Sequence, residues 1–221
     1  MSSMIKRFER RDGRFIEKIY GQERLAYAMS DSSDLYDLVE WAERGGYPGS
    51  TVAFYDYESG RVYKPFRKTK NVIFAPPVFA DGFYYLLRAD YGKKRVALLR
   101  WRPDEKPAEV ACFGTDEVKL YNLRIVGTPV HVISQDGETA ECYYPEPFAL
   151  TLTPRQTVVL IEDGRIYIEE WVEEGWDSEA DCATPDYRFY HKVVVKDFSG
   201  RTISTETGAL TQGPDGTWWI S

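Results

Sequence analysis

The chain has 221 residues, 43% of them apolar and 15% aromatic, which excludes a disordered profile and gives length for one well-cored domain or two small ones. Its 28 Lys and Arg against 35 Asp and Glu leave a net charge of −7 with no long basic tract. Nucleic acid and anionic membrane surfaces, which demand clustered cations, are therefore excluded as partners.

The N-terminus, MSSMIKRFERRDGRF, has no apolar stretch of the signal-peptide kind, and no later run approaches transmembrane length. Three cysteines, Cys112, Cys142 and Cys182, are too few and too widely spaced for a disulfide framework, though one bridge with one free thiol stays open. No CxxC pair suggests zinc, and the odd count fits a reducing compartment. The expected location is the cytoplasm.

In chain order, Asp12-Gly13 marks a first turn between Phe8 and Phe15-Ile16, and Leu25, Tyr27 and Met29 alternate as a half-buried strand would. Leu35, Leu38, Val39 and Ala42 then stand at i, i+3, i+4 and i+7, which predicts one helix over residues 33–44. Ser30, Asp31, Ser32 and Ser33 offer N-caps, and Gly45-Gly46 with Pro48 stop it. Strands resume at 52–54 and 62–66 around a turn at 57–61, and the basic residues 67–70 read as a solvated connection before a strand at 72–74.

The clearest unit runs from Val78 to Asp104. Asp81-Gly82 supplies turn chemistry, and the unbroken apolar run 83–87 suits a strand covered on both faces. A turn at 91–94 leads into a second strand carrying Val96, Leu98, Leu99 and Trp101, and Pro103 ends it. Short strands follow at 109–113, 123–133 (interrupted by Gly127-Thr128-Pro129), 139–144 and 148–152. A hairpin at 157–168 turns at Asp163-Gly164, residues 171–186 read as irregular and acidic, and another hairpin at 189–205 turns at Ser199-Gly200. Asp215 to Ile220 closes the chain.

Some of these segments repeat. Asp56-Tyr57-Glu58-Ser59-Gly60-Arg61 parallels Asp197-Phe198-Ser199-Gly200-Arg201. Asp81-Gly82-Phe83-Tyr84-Tyr85, Asp163-Gly164-Arg165-Ile166-Tyr167 and Asp215-Gly216-Thr217-Trp218-Trp219 share a turn followed by an aromatic strand. These units resemble the blades of a β-propeller, and the chain is similar to bacterial proteins of propeller-like build that carry no assigned activity. The resemblance implies one β-rich repeat domain over 1–221, with units 1–69, 70–116, 117–152 and 153–207 and a closing strand within 208–221 that returns to the first unit. The expected class is mainly β, either propeller-like or an irregular stack of antiparallel β-meanders, with the helix near 33–44 inserted.

Several residues have chemistry worth weighing. Trp171, Trp176, Trp218 and Trp219 stand near carboxylates and offer faces for stacking sugars; the same residues also suit sheet cores and seams between repeats. Asp177, Glu179 and Asp181 alternate in an acidic stretch as oxygen ligands for Ca²⁺ would, or they belong to a solvated, self-repelling loop. His131 and His191, the only histidines, fall inside predicted strands and read as ordinary sheet residues. Gly-x-Ser-x-Gly and P-loop patterns are absent from the sequence. The expectation is a non-catalytic binding or interaction domain with a protein, small-molecule or glycan partner, acting through one face of the ring or the stretch 169–186. Helix 33–44 is read as a docking feature or a cap over a sheet edge. The alternative is a carbohydrate-binding protein or weak carbohydrate-active enzyme using the tryptophans and carboxylates.

Overall fold

The computed structural model describes residues 5–221 and is built almost wholly from antiparallel strands, with a single short α-helix among the described residues. The chain divides into two compact units, one running through Ile125 and including Gly213–Thr217, the other comprising Val126–Gln212 and Trp218–Ser221.

The first unit holds two meanders. One pairs β1 (Glu17–Lys18), β2 (Leu25–Met29), β3 (Val52–Asp56) and β4 (Val62–Tyr63) in that order. The other contains β5 (Val72–Phe74), β6 (Val78–Ala80), β7 (Phe83–Asp90), β8 (Arg95–Trp101) and β9 (Ala108–Gly114), ordered β5-β7-β8-β9, with β6 pairing the first half of β7. Antiparallel register sets Tyr84 opposite Trp101 and Leu86 opposite Leu99. These side chains share a core with Tyr27, Phe54 and Phe74, and the Phe54 and Trp101 rings lie 4.7 Å apart. Each such side chain removed from water stabilises the unit by roughly 1.5–3 kcal/mol before its ordering cost. A smaller cluster, Ala28, Ala53, Tyr55 and Val62 with Phe8 and Ile16 against it, covers the other face of β3, whose five residues are all buried. β7 and β8 are likewise buried along most of their length, as the unbroken apolar run implied.

The single helix, α1 (Val39–Arg44), is shorter than the apolar spacing predicts. Asp31 Oδ1 accepts the Ser33 N–H at 2.9 Å and Asp34 Oδ1 accepts the Tyr36 N–H at 2.9 Å, so both aspartates hold the preceding chain in local turns. Such side-chain bonds compete with a helical ladder. Leu35 and Leu38 are still buried, but from these turns, and the Gly45 N–H closes the helix on the Trp41 carbonyl.

The second unit repeats the plan. β10 (Arg124–Val126), which spans the boundary at Ile125, forms one sheet in sequence order with β11 (His131–Asp136), β12 (Thr139–Tyr144) and β13 (Phe148–Thr151). β14 (Gln156–Glu162), β15 (Arg165–Asp177), β16 (Cys182–Lys196) and β17 (Thr202–Thr207) form the next. Ile133, Ala140, Cys142 and Leu150 of the former pack with Val158, Ile161, Ile166 and Val194 of the latter in one core. A polar clasp joins the two sheets: Gln135 Nε2 donates to the Gln156 carbonyl at 2.7 Å, and its Oε1 accepts the Val158 N–H at 3.1 Å. The last strands, β18 (Leu210–Gln212) and β19 (Trp218–Ile220), pair with each other. The Gly213-Pro214-Asp215-Gly216 turn joins them, with the Gly213 N–H donating to the Thr217 carbonyl at 2.8 Å.

Repeated turn chemistry has repeated geometry. Asp81-Gly82 and Asp163-Gly164 all have positive φ, between 49° and 77°, the backbone that a tight two-residue hairpin needs. Asp56 Oδ1 accepts the N–H groups of Glu58 and Ser59, and Asp197 Oδ1 accepts those of Ser199 and Arg201.

Candidate functional site

The stretch 171–186, expected to be irregular, is instead strand on both sides of a turn, the outer parts of β15 and β16. β14 and its approach accompany β15 as far as Trp171, whose N–H donates to the Arg155 carbonyl at 3.0 Å. β17 and its exit accompany β16 as far as His191, whose carbonyl accepts the Gly208 N–H at 2.9 Å. Past those points β15 and β16 pair only with each other, in a ladder running to Asp177 opposite Cys182. The result is a two-stranded arm extending from a four-stranded sheet, with both outer edges free of any partner strand among the described residues. The density of acids masked it in sequence, because the alternation that builds it mixes charged residues with aromatic ones.

One face of the arm carries the rings. Trp171 and Phe189 lie 6.5 Å apart between centroids, Phe189 and Tyr187 6.5 Å, and Tyr187 and Trp176 5.9 Å. Trp171, Trp176 and Phe189 remain 39%, 46% and 62% exposed. Arg155 places its guanidinium 5.2 Å from the Trp171 ring while bonding Glu173 at 3.2 Å, and the Tyr187 hydroxyl donates to the other Glu173 oxygen at 2.7 Å. These bonds fix the rings in place without burying them. Gly175 makes the bulge that re-aims Trp176: its φ is +74°, and a Cβ there would stand 2.7 Å from the Asp186 carbonyl oxygen.

The opposite face is polar. Glu174 accepts the Tyr190 hydroxyl at 2.8 Å and the Arg188 Nε–H at 2.6 Å, and these two bonds hold its carboxyl below the usual range. At the tip, Asp177 Oδ1 accepts the N–H groups of Ala180 and Glu179 at 3.0 and 2.9 Å, which lowers its carboxyl in the same way. Asp177 thus organises the turn, while Glu179 and Asp181 stand exposed beside it. Among the described residues no group of three or more His, Cys, Asp or Glu side chains is arranged to hold a metal ion. Between Trp171 and His191 there are six carboxylates (Glu173, Glu174, Asp177, Glu179, Asp181 and Asp186) and one Arg, so the arm is acidic overall.

The four singled-out tryptophans are not gathered at one point. Trp171 and Trp176 belong to the arm, whereas Trp218 and Trp219 lie on β19, where Trp219 is 63% exposed and Trp218 half-buried. No ring contact joins the two pairs among the described residues. The β18–β19 hairpin is tied to β15 by the Leu210 N–H, which donates to the Glu169 carboxylate. The residues that sequence reasoning missed are Tyr187, Phe189, Tyr190, Arg188 and Arg155. The segment Tyr187-Arg188-Phe189-Tyr190 was the one signal for the four on β16, legible only once β16 is known to begin at Cys182, and Arg155 had none.

His131 is buried, its Nδ1 2.8 Å from the Pro129 carbonyl, and burial pushes its imidazole down. His191 pairs with Trp171 at the base of the arm, and its Nδ1 is shielded without a hydrogen-bond partner. All three cysteines are free; burial pushes the Cys142 thiol up to about 11. No helix among the described residues is long and apolar enough to cross a membrane. No protein-family model matches the chain, and no curated protein matches its sequence.

Proposed function

We propose that this protein is a non-catalytic interaction module that docks on another protein through the β15–β16 arm. The observation that carries the reading is the row Trp171, Phe189, Tyr187 and Trp176, held in order by Glu173 and Arg155 yet left open to solvent. Aromatic side chains dominate interface energetics, and a free strand edge accepts a partner strand by main-chain hydrogen bonds. With six carboxylates against one Arg, the arm fits a partner whose strand edge or groove is rimmed by Lys and Arg. A second copy of the same arm would set like charges face to face.

The four consecutive meanders also support a propeller-like reading of the architecture, in which the arm is an overgrown hairpin of the fourth blade. The test is a photo-crosslinking side chain at Phe189, followed by titration of the captured protein, purified, against the intact chain. The reading requires an affinity that falls when Trp171 and Phe189 are truncated and that weakens with salt. A captured protein whose affinity ignores both changes would overturn it.

Carbohydrate binding is the second reading, favoured by the exposed indoles of Trp171, Trp176 and Trp219. It ranks below the first because Glu173, the carboxylate on the ring face beside Trp171, is already engaged by Tyr187 and Arg155. Calorimetric titration with a glycan panel tests it, and Trp176→Ala must abolish any heat observed.

A further inference from the structure

The first unit contains a cavity of about 540 Å³ whose charge is opposite in sign to that of the chain. It opens where the inner face of the second sheet changes character. Tyr84 and Leu86 of β7 point into the core, and the next two residues of the same row are Arg88 and Asp90. Register places Phe74 and Ala97 beside Arg88, and Val72 and Arg95 beside Asp90. A row that is apolar for half its length thus ends in charged groups at positions that packing alone would fill with Leu or Val.

The cations there exceed the anions. Arg67, Arg88, Lys93 and Lys106 line the cavity against two carboxylates, Asp90 and Glu109. Both carboxylates are shared: Glu109 is bonded by Arg95 and lies 3.8 Å from Arg88, and Asp90 lies 3.7 Å from Lys93. Two arginines on one carboxylate leave donors over, and the Nε atoms of Arg88 and Arg95 are both shielded from solvent with no hydrogen-bond partner. Buried orphan donors are rare in folded proteins and ask for a reason. Beside these charges the wall is apolar, built from Phe66, Phe74, Val72 and Leu99, with the two Phe rings 5.0 Å apart.

We propose that this cavity binds a small phosphomonoester carrying a flat ring, with the phosphate among Arg88, Lys93, Lys106 and Arg67 and the ring against Phe66. A phosphomonoester carries about −1.5 to −2 charges near neutral pH, which matches the cation excess. Arginine forks and lysine point charges are the groups that hold phosphate oxygens, and a cavity of this size takes a ligand with a ring. The site shares no residue with the arm, so it stands or falls independently of the docking reading.

The test is isothermal titration of the full chain, in phosphate-free buffer, with adenosine monophosphate, phenyl phosphate, adenosine and inorganic phosphate. Both phosphomonoesters are expected to bind, adenosine is expected not to, and inorganic phosphate is expected to bind at least about tenfold more weakly than either ester. Lys106→Gln and Arg67→Gln, both at exposed positions, should each weaken the esters by about threefold to tenfold, and Arg88→Gln by more. Arg100→Gln, a surface arginine stacked on Phe83 outside the cavity, should change nothing. No binding of either ester, equal binding of inorganic phosphate, or affinities indifferent to Lys106→Gln and Arg67→Gln would each overturn the proposal.

Discussion

Trp171 and Phe189 stand on opposite strands of the arm with ring centroids 6.5 Å apart, and Arg155 covers Trp171 from the side at 5.2 Å. The contact orders two large apolar surfaces while leaving them in water, a state that folding by itself does not reward. Folding stability and partner binding should therefore separate at these two positions. Trp171→Ala and Phe189→Ala are each expected to change unfolding free energy by no more than about 1 kcal/mol, because neither ring belongs to a core. Binding of the arm's partner should weaken by about 2 kcal/mol or more for each, as for an aromatic hot spot. Urea denaturation and a binding titration on the same variants check the pair of outcomes.

The arm as a whole should be dispensable for folding. Joining Trp171 to His191 through an Asn-Gly turn removes only strand pairs internal to the arm, together with the exposed Arg155–Glu173 ion pair. Cooperative thermal melting, followed by circular dichroism, should keep its midpoint within about 5 °C. A collapsed midpoint would make the arm a structural brace and not a docking element.

Asp56 should make the first unit sensitive to acid. It is fully buried, and burial alone would raise its carboxyl; the Arg24 guanidinium at 2.9 Å and the N–H groups of Ser59 and Glu58 outweigh that and hold it low. A carboxyl lowered by folding contributes in full above its unfolded value of about 3.9, and the contribution is lost as pH falls through the lower folded value. Stability measured from pH 7 downward should thus drop below about pH 4, and Asp56→Asn should flatten that drop. Asp56→Ala should cost about 3 kcal/mol at pH 7, since it strips a turn of its acceptor and leaves polar groups unpaired.

Two glycines separate backbone strain from crowding. Gly127 has φ +76°, and a Cβ there would lie 1.9 Å from the Ile161 carbonyl oxygen; Gly137 has φ +51° with open space around it. Gly137→Ala should cost about 1 kcal/mol, the strain of a left-handed residue. Gly127→Ala adds a backbone collision and should cost about 3 kcal/mol or more. Denaturant titration of both variants distinguishes them, and equal losses would contradict the close approach at Ile161.

The β18–β19 hairpin, which carries the other tryptophan pair, should be nearly neutral to ring loss at Trp219. That side chain is 63% exposed and opposite Thr211. Trp219→Ala is expected to shift unfolding by less than about 1 kcal/mol and to leave partner binding by the arm unchanged. A loss of partner affinity equal to that of Trp171→Ala would extend the docking surface to β19.

Local chemistry explains what the sequence settled unaided. Alternating and unbroken apolar runs such as 83–87, and Asp-Gly turns at 81–82 and 163–164, act within a few residues of chain, so the mainly β class and the antiparallel hairpins were legible from them. The helix was legible as an apolar stripe, but its length was decided by Asp31 and Asp34, whose side chains bond the backbone two residues on. The arm was hidden because two of its acids are matched from the other strand, Glu174 by Arg188 and Tyr190 and Glu173 by Tyr187. The cationic cavity was hidden because Arg67, Arg88, Lys93 and Lys106 are spread over about forty residues, Arg88 on β7 and the others on the connections that the pairing of β5, β7, β8 and β9 brings together. Period and turn chemistry are properties of the chain, and they sufficed to say which segments are strands. Which strands outrun their neighbours, and which charges share a wall, depends on pairings between distant segments, and only the tertiary structure supplies those.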